Sequence, residues 1–227
     1  MFSKIKALIQ SRTGSVEDVE NFNDLATKGM KLNNLVTLNY PLLSINQELS
    51  FDLGYKTKKV TGISSSEERG DCTHRFYTED DFFYQVDFFG EDKVDNLARL
   101  SLFHYLLNEG EELDPTDEES LAKWRKIIEE DEIFTFNGNE YRRSSGVLGG
   151  LEVVEVIGDD LNTIENTFAV FEREINSKIS EYIIVNVEEE VLVNDDDEVT
   201  GRGDMTATLA LGVNVPHSQI DINRTEG

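Results

Sequence analysis

Alternating apolar and polar positions dominate the chain, and they are densest between Thr73 and Phe89, which reads T-H-R-F-Y-T-E-D-D-F-F-Y-Q-V-D-F-F. Two aromatic-rich runs, Thr73–Tyr77 and Phe82–Phe89, flank the polar block Thr78-Glu79-Asp80-Asp81. Such a pattern predicts two strands and a turn. Side chains alternate along a strand, so Phe82, Tyr84, Val86 and Phe88 share one face and Phe83, Gln85, Asp87 and Phe89 the other. The first face is wholly apolar and is expected in the core. The second is mixed, and its exposure would make it a docking patch.

The same reading extends along the chain. Lys31–Leu38 gives Leu32, Leu35, Val36 and Leu38 ahead of Pro41, and Ile45–Leu53 and Lys58–Ile63 read as short strands, with Gly54 and Gly62 as turns. Ala98–Leu107 is apolar at almost every position and is assigned as a strand. Asn137-Gly138 between Ile133–Phe136 and Asn139–Arg143 is a strong hairpin signal, because Asn-Gly accepts the positive φ angles of a type I′ turn. Leu151–Ile157, Glu181–Glu188 and Met205–Val215 complete the strands. Phe168–Ile175 is open between strand and helix, since Ile164, Phe168, Phe171 and Ile175 also fit helical spacing.

Helical periodicity is confined to a few places. Thr116 with Glu119 fits a capping box ahead of Leu121, Trp124, Ile127 and Ile128, predicting a helix to about Glu130. At Met1–Gln10, Phe2, Ile5, Leu8 and Ile9 share a face with Lys4 and Lys6 elsewhere, a short basic segment suited to a membrane surface, a partner or its own domain. The expected fold is therefore α+β, β-rich, built of antiparallel hairpins with one or two helices. Residues 1–30 read as an amphipathic segment and linker, 31–215 as one β-rich domain and 216–227 as a polar tail.

Composition narrows the partners. The formal net charge is -25 over 227 residues, a field that repels phosphate backbones, so nucleic acid is not an expected partner. One cysteine, Cys72, allows no internal disulfide and points to a reducing cytoplasmic setting. No apolar run approaches the roughly 20 residues of a membrane-spanning helix.

Chemistry is sparse. Cys72 and His74, two apart on a strand, begin a thiol–imidazole pair but lack the orienting third group of a nucleophile and the ligand count of zinc. Neither Glu79-Asp80-Asp81 nor Asp195-Asp196-Asp197-Glu198 has the register of a calcium loop. Arg202-Gly203-Asp204 reads as turn chemistry. Arg75, Arg142 and Arg143 are expected to pair with carboxylates, and His104 and His217 to be structural. No catalytic residue, metal site or cofactor is assigned, and the enzyme question leans towards no.

The hairpin His74–Val86 (H-R-F-Y-T-E-D-D-F-F-Y-Q-V), L-F-H-Y at Leu102–Tyr105, the helix around Trp124, E-Y-R-R at Glu140–Arg143 and E-Y-I-I-V-N-V-E at Glu181–Glu188 occur in an order that resembles the YjfK-like bacterial proteins. The resemblance spans roughly Leu32 to Val215. It implies a cytoplasmic protein whose relatives are often encoded near a PspA-like membrane-stress protein, small membrane proteins and a ligase similar to glutathionylspermidine synthase, and it implies no catalytic residues. The expected function is a non-catalytic accessory or interaction protein with a PspA-like partner. The alternative is an enzyme or a domain that binds a polyamine or another cation, since a negative field concentrates cations.

Overall fold

β2 (Thr57–Glu68) is hydrogen-bonded on both sides, and the whole architecture follows from its two neighbours. The structure is a computed structural model that describes residues 30–44, 48–68, 70–91, 94–106, 109–146, 148–157, 160–194 and 199–223. The basic segment at 1–10, most of the linker, Ile45 to Gln47, most of the acidic loop and the last four residues lie outside the described residues.

A first meander runs through β2, β3 (Asp71–Thr78), β4 (Phe82–Phe88) and β5 (Leu97–Tyr105). A second runs through β9 (Leu148–Ile157), β10 (Asp160–Asn176), β11 (Ile179–Val193) and β12 (Val199–Asn214). β12 pairs with β5, and β9 pairs with β2, so the order β2-β3-β4-β5-β12-β11-β10-β9 returns to its start. All eight pairings are antiparallel. The ring is an eight-stranded barrel, and closure removes the unpaired edges that an open sheet of this size would carry.

Two faces alternate around this ring. Outward lie Phe76, Phe82, Tyr84, Val86, Phe88, Leu100, Leu102, Val154 and Val156, all buried. They are covered by residues 30–44 and 48–53, which contribute β1 (Leu35–Leu38) and the single turn α1 (Pro41–Ser44), and by β13 (Ile220–Asn223), which pairs with β1. Farther round the barrel, Ala169, Phe171, Ile183, Val185, Leu209 and Leu211 pack beneath α2 (Glu118–Glu129), β6 (Glu111–Leu113), β7 (Ile133–Phe136) and β8 (Asn139–Arg143).

Local chemistry sets these elements. Asn137 and Gly138 adopt φ 49° and 78°, and the hairpin β7–β8 forms as expected. The cap of α2 falls one residue later than the capping-box reading: Asp117 accepts from the backbone N–H groups of Glu119 and Ser120, while Thr116 bonds Asp114. Arg143 closes the other end, donating to the carbonyls of Ile127, Ile128 and Asp131, where a cation also meets the negative end of the helix dipole. Trp124 and Ile128 are the buried face of α2.

A buried carboxylate fastens the outer layer to the barrel. Glu181 on β11, with no exposed side-chain surface, accepts from Tyr141 Oη at 2.6 Å, Arg173 Nη2 at 2.7 Å and the Ser50 backbone N–H at 2.6 Å. Segment 48–51, β8, β10 and β11 therefore share one ionic hydrogen-bond centre. Burial, followed by the hydrogen bond to Glu181, pushes the Tyr141 phenol up to about 12. On the first meander, Lys58 bonds Asp80 at 2.5 Å with its ammonium 3.6 Å from the centre of the Phe82 ring, tying β2 to the β3–β4 turn.

The β-rich, antiparallel expectation agrees with the structure, which is mostly sheet with α2 the one multi-turn helix among the described residues. Finer expectations are corrected or resolved. Phe168–Ile175 is strand, because both its edges are satisfied by ladders to β11 and to β9 and β8. Residues 48–53 form no strand, and Gly62 is a paired position inside β2, next to a bulge at Thr61, rather than a turn. Arg202-Gly203-Asp204 lies within β12, where Arg202 bridges Glu165 and Glu189. The polar tail contains β13.

Two positions test this packing. Gly212 faces Phe103 directly, and a Cβ there would sit 2.2 Å from its ring, so Gly212→Val is expected to cost about 1–3 kcal/mol in urea unfolding, with part recovered by adding Phe103→Leu. An unchanged urea midpoint would refute the close approach. Glu181→Ala strands Arg173 and Tyr141 and is expected to cost about 3–5 kcal/mol by the same measurement, far more than an exposed Glu140→Ala.

Candidate functional site

The inward face of the barrel mixes polar and charged groups with an apolar cluster of Phe83, Phe103, Phe168, Ile184 and Ala210. Arg75 on β3 is electrostatically coupled to Glu188 on β11, and Tyr105 on β5 to Glu155 on β9. Each pair stands four strands apart around the ring, so these side chains meet through the lumen. Eight strands enclose a space that side chains just fill or that holds one small ligand.

One side of the lumen is aromatic. Phe83 stacks on Phe103 with centroids 5.1 Å apart, Tyr105 lies 4.9 Å from Phe83, and Tyr77 stacks on Tyr105 at 6.5 Å. Arg75 lies over Phe83 at 5.3 Å and donates its Nε to Gln85 Oε1 at 3.1 Å. Gln85 passes the network to Asp87, which also receives Thr73 and, at 2.8 Å, Arg99. Tyr77 Oη lies 3.0 Å from Ser64 Oγ and is hydrogen-bonded to Glu155.

The opposite side is acidic and amide-rich. The strand register sets Glu112, Thr206, Glu188 and Asn166 in one row across β6, β12, β11 and β10. The next row holds Thr208, Asn186 and Phe168. Asn186 Nδ2 donates to Asn166 Oδ1 at 2.6 Å and to Glu188 Oε1 at 2.8 Å, which fixes the amide and leaves its buried Oδ1 without a donor.

Charge does not balance here. Arg75 brings one positive charge against Glu155 and Glu188, while Asp87 is matched by Arg99. Burial raises the Glu155 carboxyl above the usual range, with Tyr77 and Arg75 opposing and Glu188 adding to the rise. Burial likewise raises Glu188, opposed by Arg75 and the Asn186 amide. Desolvation would lower Arg75, but the Tyr77, Tyr105 and Glu188 oxygens outweigh it and the guanidinium stays charged.

A cleft lies beside the acidic row. Past Tyr105↔Ala210 the Leu106 N–H still bonds the Leu209 carbonyl at 2.9 Å, and β6 takes over along β12 at Ala207↔Glu111. Between them is a cleft of about 240 Å³ whose lining includes the inward-facing Tyr105, Thr206 and Thr208. Gly110 forms its rim where a Cβ would stand 2.8 Å from the Ala207 carbonyl oxygen. Glu111 holds β6 in place by accepting from Trp124 Nε1, Lys123 at 2.9 Å and Ser120 at 3.2 Å.

A family model described as "Protein of unknown function (DUF2491)" matches residues 24–221. The chain belongs to this DUF2491 family. No curated protein and no solved structure matches it. No described helix of this DUF2491 chain is long and apolar enough to cross a membrane, and among the described residues no cluster of three or more His, Cys, Asp and Glu is arranged to hold a metal.

The expected docking patch is dispersed by barrel closure. Phe83 and Gln85 are buried in the lumen, Asp87 lies at one end of its hydrogen-bond network, and Phe89 alone is exposed, at 74%. Cys72 and His74 point outward from β3, with His74 beside Phe88 at 5.7 Å rather than in the lumen. His104 stacks between Phe82 and Phe51 on the outer face. Glu155, Glu188, Tyr77, Tyr105 and Asn186 were not singled out by sequence. Their signal is a recurring mixed polar and aromatic face opposite an apolar one, strand after strand.

For a carboxyl raised on folding, the native state binds more protons, so stability is highest near the unfolded value and falls as pH rises through the native one. Glu155→Gln is therefore expected to raise the melting temperature at pH 7 and to flatten its decline above the ordinary carboxylate range. A lower melting temperature at pH 7 would contradict an uncompensated charge.

Proposed function

We propose that this DUF2491 protein is a non-catalytic binding protein that holds a small molecule in its barrel lumen. One observation carries this reading: Tyr77, Tyr105, Glu188, Thr206 and Thr208 point inwards yet remain half-buried, and Tyr105, Thr206 and Thr208 line a cleft of about 240 Å³. Half-buried polar and aromatic side chains, a buried acceptor and an adjoining cleft are elements of a ligand site: apolar walls and a few convergent polar groups. A nucleophile, its base and an oxyanion donor are not brought together there.

Within the family the resemblance to the YjfK-like proteins favours an accessory role beside a PspA-like partner in the cytoplasm. The surface offers such a partner the exposed rings of Tyr55 and Phe89. The lumen supports the binding role independently of any partner.

A thermal-shift panel of amines, carboxylates, sugars and nucleotides tests the proposal, because a ligand that binds only the folded state raises apparent stability. Compounds that stabilise the wild type are expected to lose their effect on Thr208→Trp, whose indole fills the cleft. A panel with no stabilising compound, or compounds that stabilise both proteins equally, would overturn the lumen as the site.

A further inference from the structure

We infer that a notch at the end of the barrel where β12 gives way to Pro216 binds a small organic carboxylate. The site is separate from the lumen. It follows from where one ladder stops: β5 pairs with β12 from Tyr105↔Ala210 to Ser101↔Asn214, and the Val215 N–H still reaches the Leu100 carbonyl at 2.9 Å. Pro216 has no N–H to continue the ladder, and the chain turns off through His217–Gln219 to β13. Leu97, Ala98 and Arg99 are left facing a space of about 390 Å³, which Tyr40 and Lys178, from the β10–β11 turn, also line. That volume lies within the roughly 300–1,000 Å³ of small-molecule sites.

The charge lining this notch runs against the composition. Arg99, Lys178 and His217 face it, and no Asp or Glu is among the described residues that do. The whole chain has 46 acidic residues against 21 Lys and Arg. Elsewhere Lys58, Lys123, Lys126, Arg173 and Arg202 each meet a carboxylate within 3.4 Å. Lys178 is exposed, and among the described residues its ammonium meets none. Arg99 donates its Nε to Asp87 at 2.8 Å, which leaves both terminal amino groups, on a side chain 46% exposed, for a ligand. Asn214 is fixed beside them, accepting from Ser101 Oγ and donating to Tyr182 Oη, each at 2.9 Å.

The charge count selects the class. Asp87 offsets Arg99, so Lys178 supplies one unmatched positive charge, which a monoanion neutralises and a dianion exceeds. The planar guanidinium also matches the two oxygens of a carboxylate. Tyr40, Leu97, Val215 and Pro216 give the rest of the ligand an apolar wall. The acidic exterior does not forbid an anion here, since physiological salt screens charges beyond about 8 Å, whereas Lys178 and Arg99 act at contact.

Amide NMR titration of the full chain with phenylacetate, phenethyl alcohol and phenyl phosphate at pH 7 and physiological salt tests the site. Phenylacetate is expected to shift the amides of Ala98, Lys178 and His217 saturably, and the alcohol and the phosphate to bind more weakly. Lys178→Gln, whose side chain makes no bond that the fold needs, is expected to weaken phenylacetate about fivefold. Lys178→Arg should restore it, Ala98→Trp should block the notch, and Arg125→Gln, exposed on α2, should leave it unchanged. The alcohol binding as tightly as phenylacetate would show that the notch reads only the ring and would overturn the carboxylate. Phenyl phosphate binding more tightly would overturn the single surplus charge and the class with it. Phenylacetate binding that survives both Lys178→Gln and Ala98→Trp lies elsewhere on the chain and would overturn the site, as would absence of binding by all three probes.

Discussion

The ladder between β2 and β9, from Gly62 through Ser66 on one side and Val153 through Ile157 on the other, is the constraint on which the rest depends. Each meander could pair its own strands from local hairpins alone. Only this ladder and the β5–β12 ladder join first meander to second at both edges. Without closure, Arg75, Glu155 and Glu188 would lie on a solvated sheet face, far apart and without mutual influence. With it they meet at short range in a reduced dielectric, where an ionisable group responds strongly to its neighbours.

Closure also explains the mixed interior. A barrel of this strand number has little interior volume, and here that volume is taken by aromatic rings and a hydrogen-bonded chain from Arg99 through Asp87, Gln85 and Arg75. Most apolar burial is therefore on the outside, where residues 30–44 and 48–53, β13 and the α2–β7–β8 unit form a second layer. The layers need specific attachment, because apolar contact alone is non-directional. Glu181 with Arg173, Tyr141 and Ser50 supplies it on one side, and Lys58 with Asp80 supplies it on the other.

This arrangement separates the groups that stabilise from those that remain available. Glu181 has all its principal contacts within the chain and no exposed surface. Glu188 is held through one oxygen by Asn186 and borders the half-buried Thr206 at the cleft. Buried polar networks fix a unique arrangement when complete, and the incomplete one at Asn186 and Glu188 is where the chain departs from self-sufficiency.

Local pattern was enough for the hairpins. The alternation at Phe82–Phe88, the Asn-Gly turn and the apolar spacing of Trp124 and Ile128 each depend on residues a few positions apart, and the structure agrees with them to within a residue or two. The sequence also shows which face of the Thr73–Phe89 hairpin is apolar. What covers the other face it could not show, because Phe83 and Gln85 are enclosed by strands more than sixty residues away in the chain. Long β10 was ambiguous for the same reason, since its identity as strand rests on ladders to β8, β9 and β11 rather than on its own periodicity. Glu155 and Glu188, thirty-three positions apart in sequence, become one site through the pairing of β9, β10 and β11. Periodicity determined the strands and their apolar faces; ring closure alone decided that the polar faces look inwards, because inside and outside are properties of a closed surface and not of any strand.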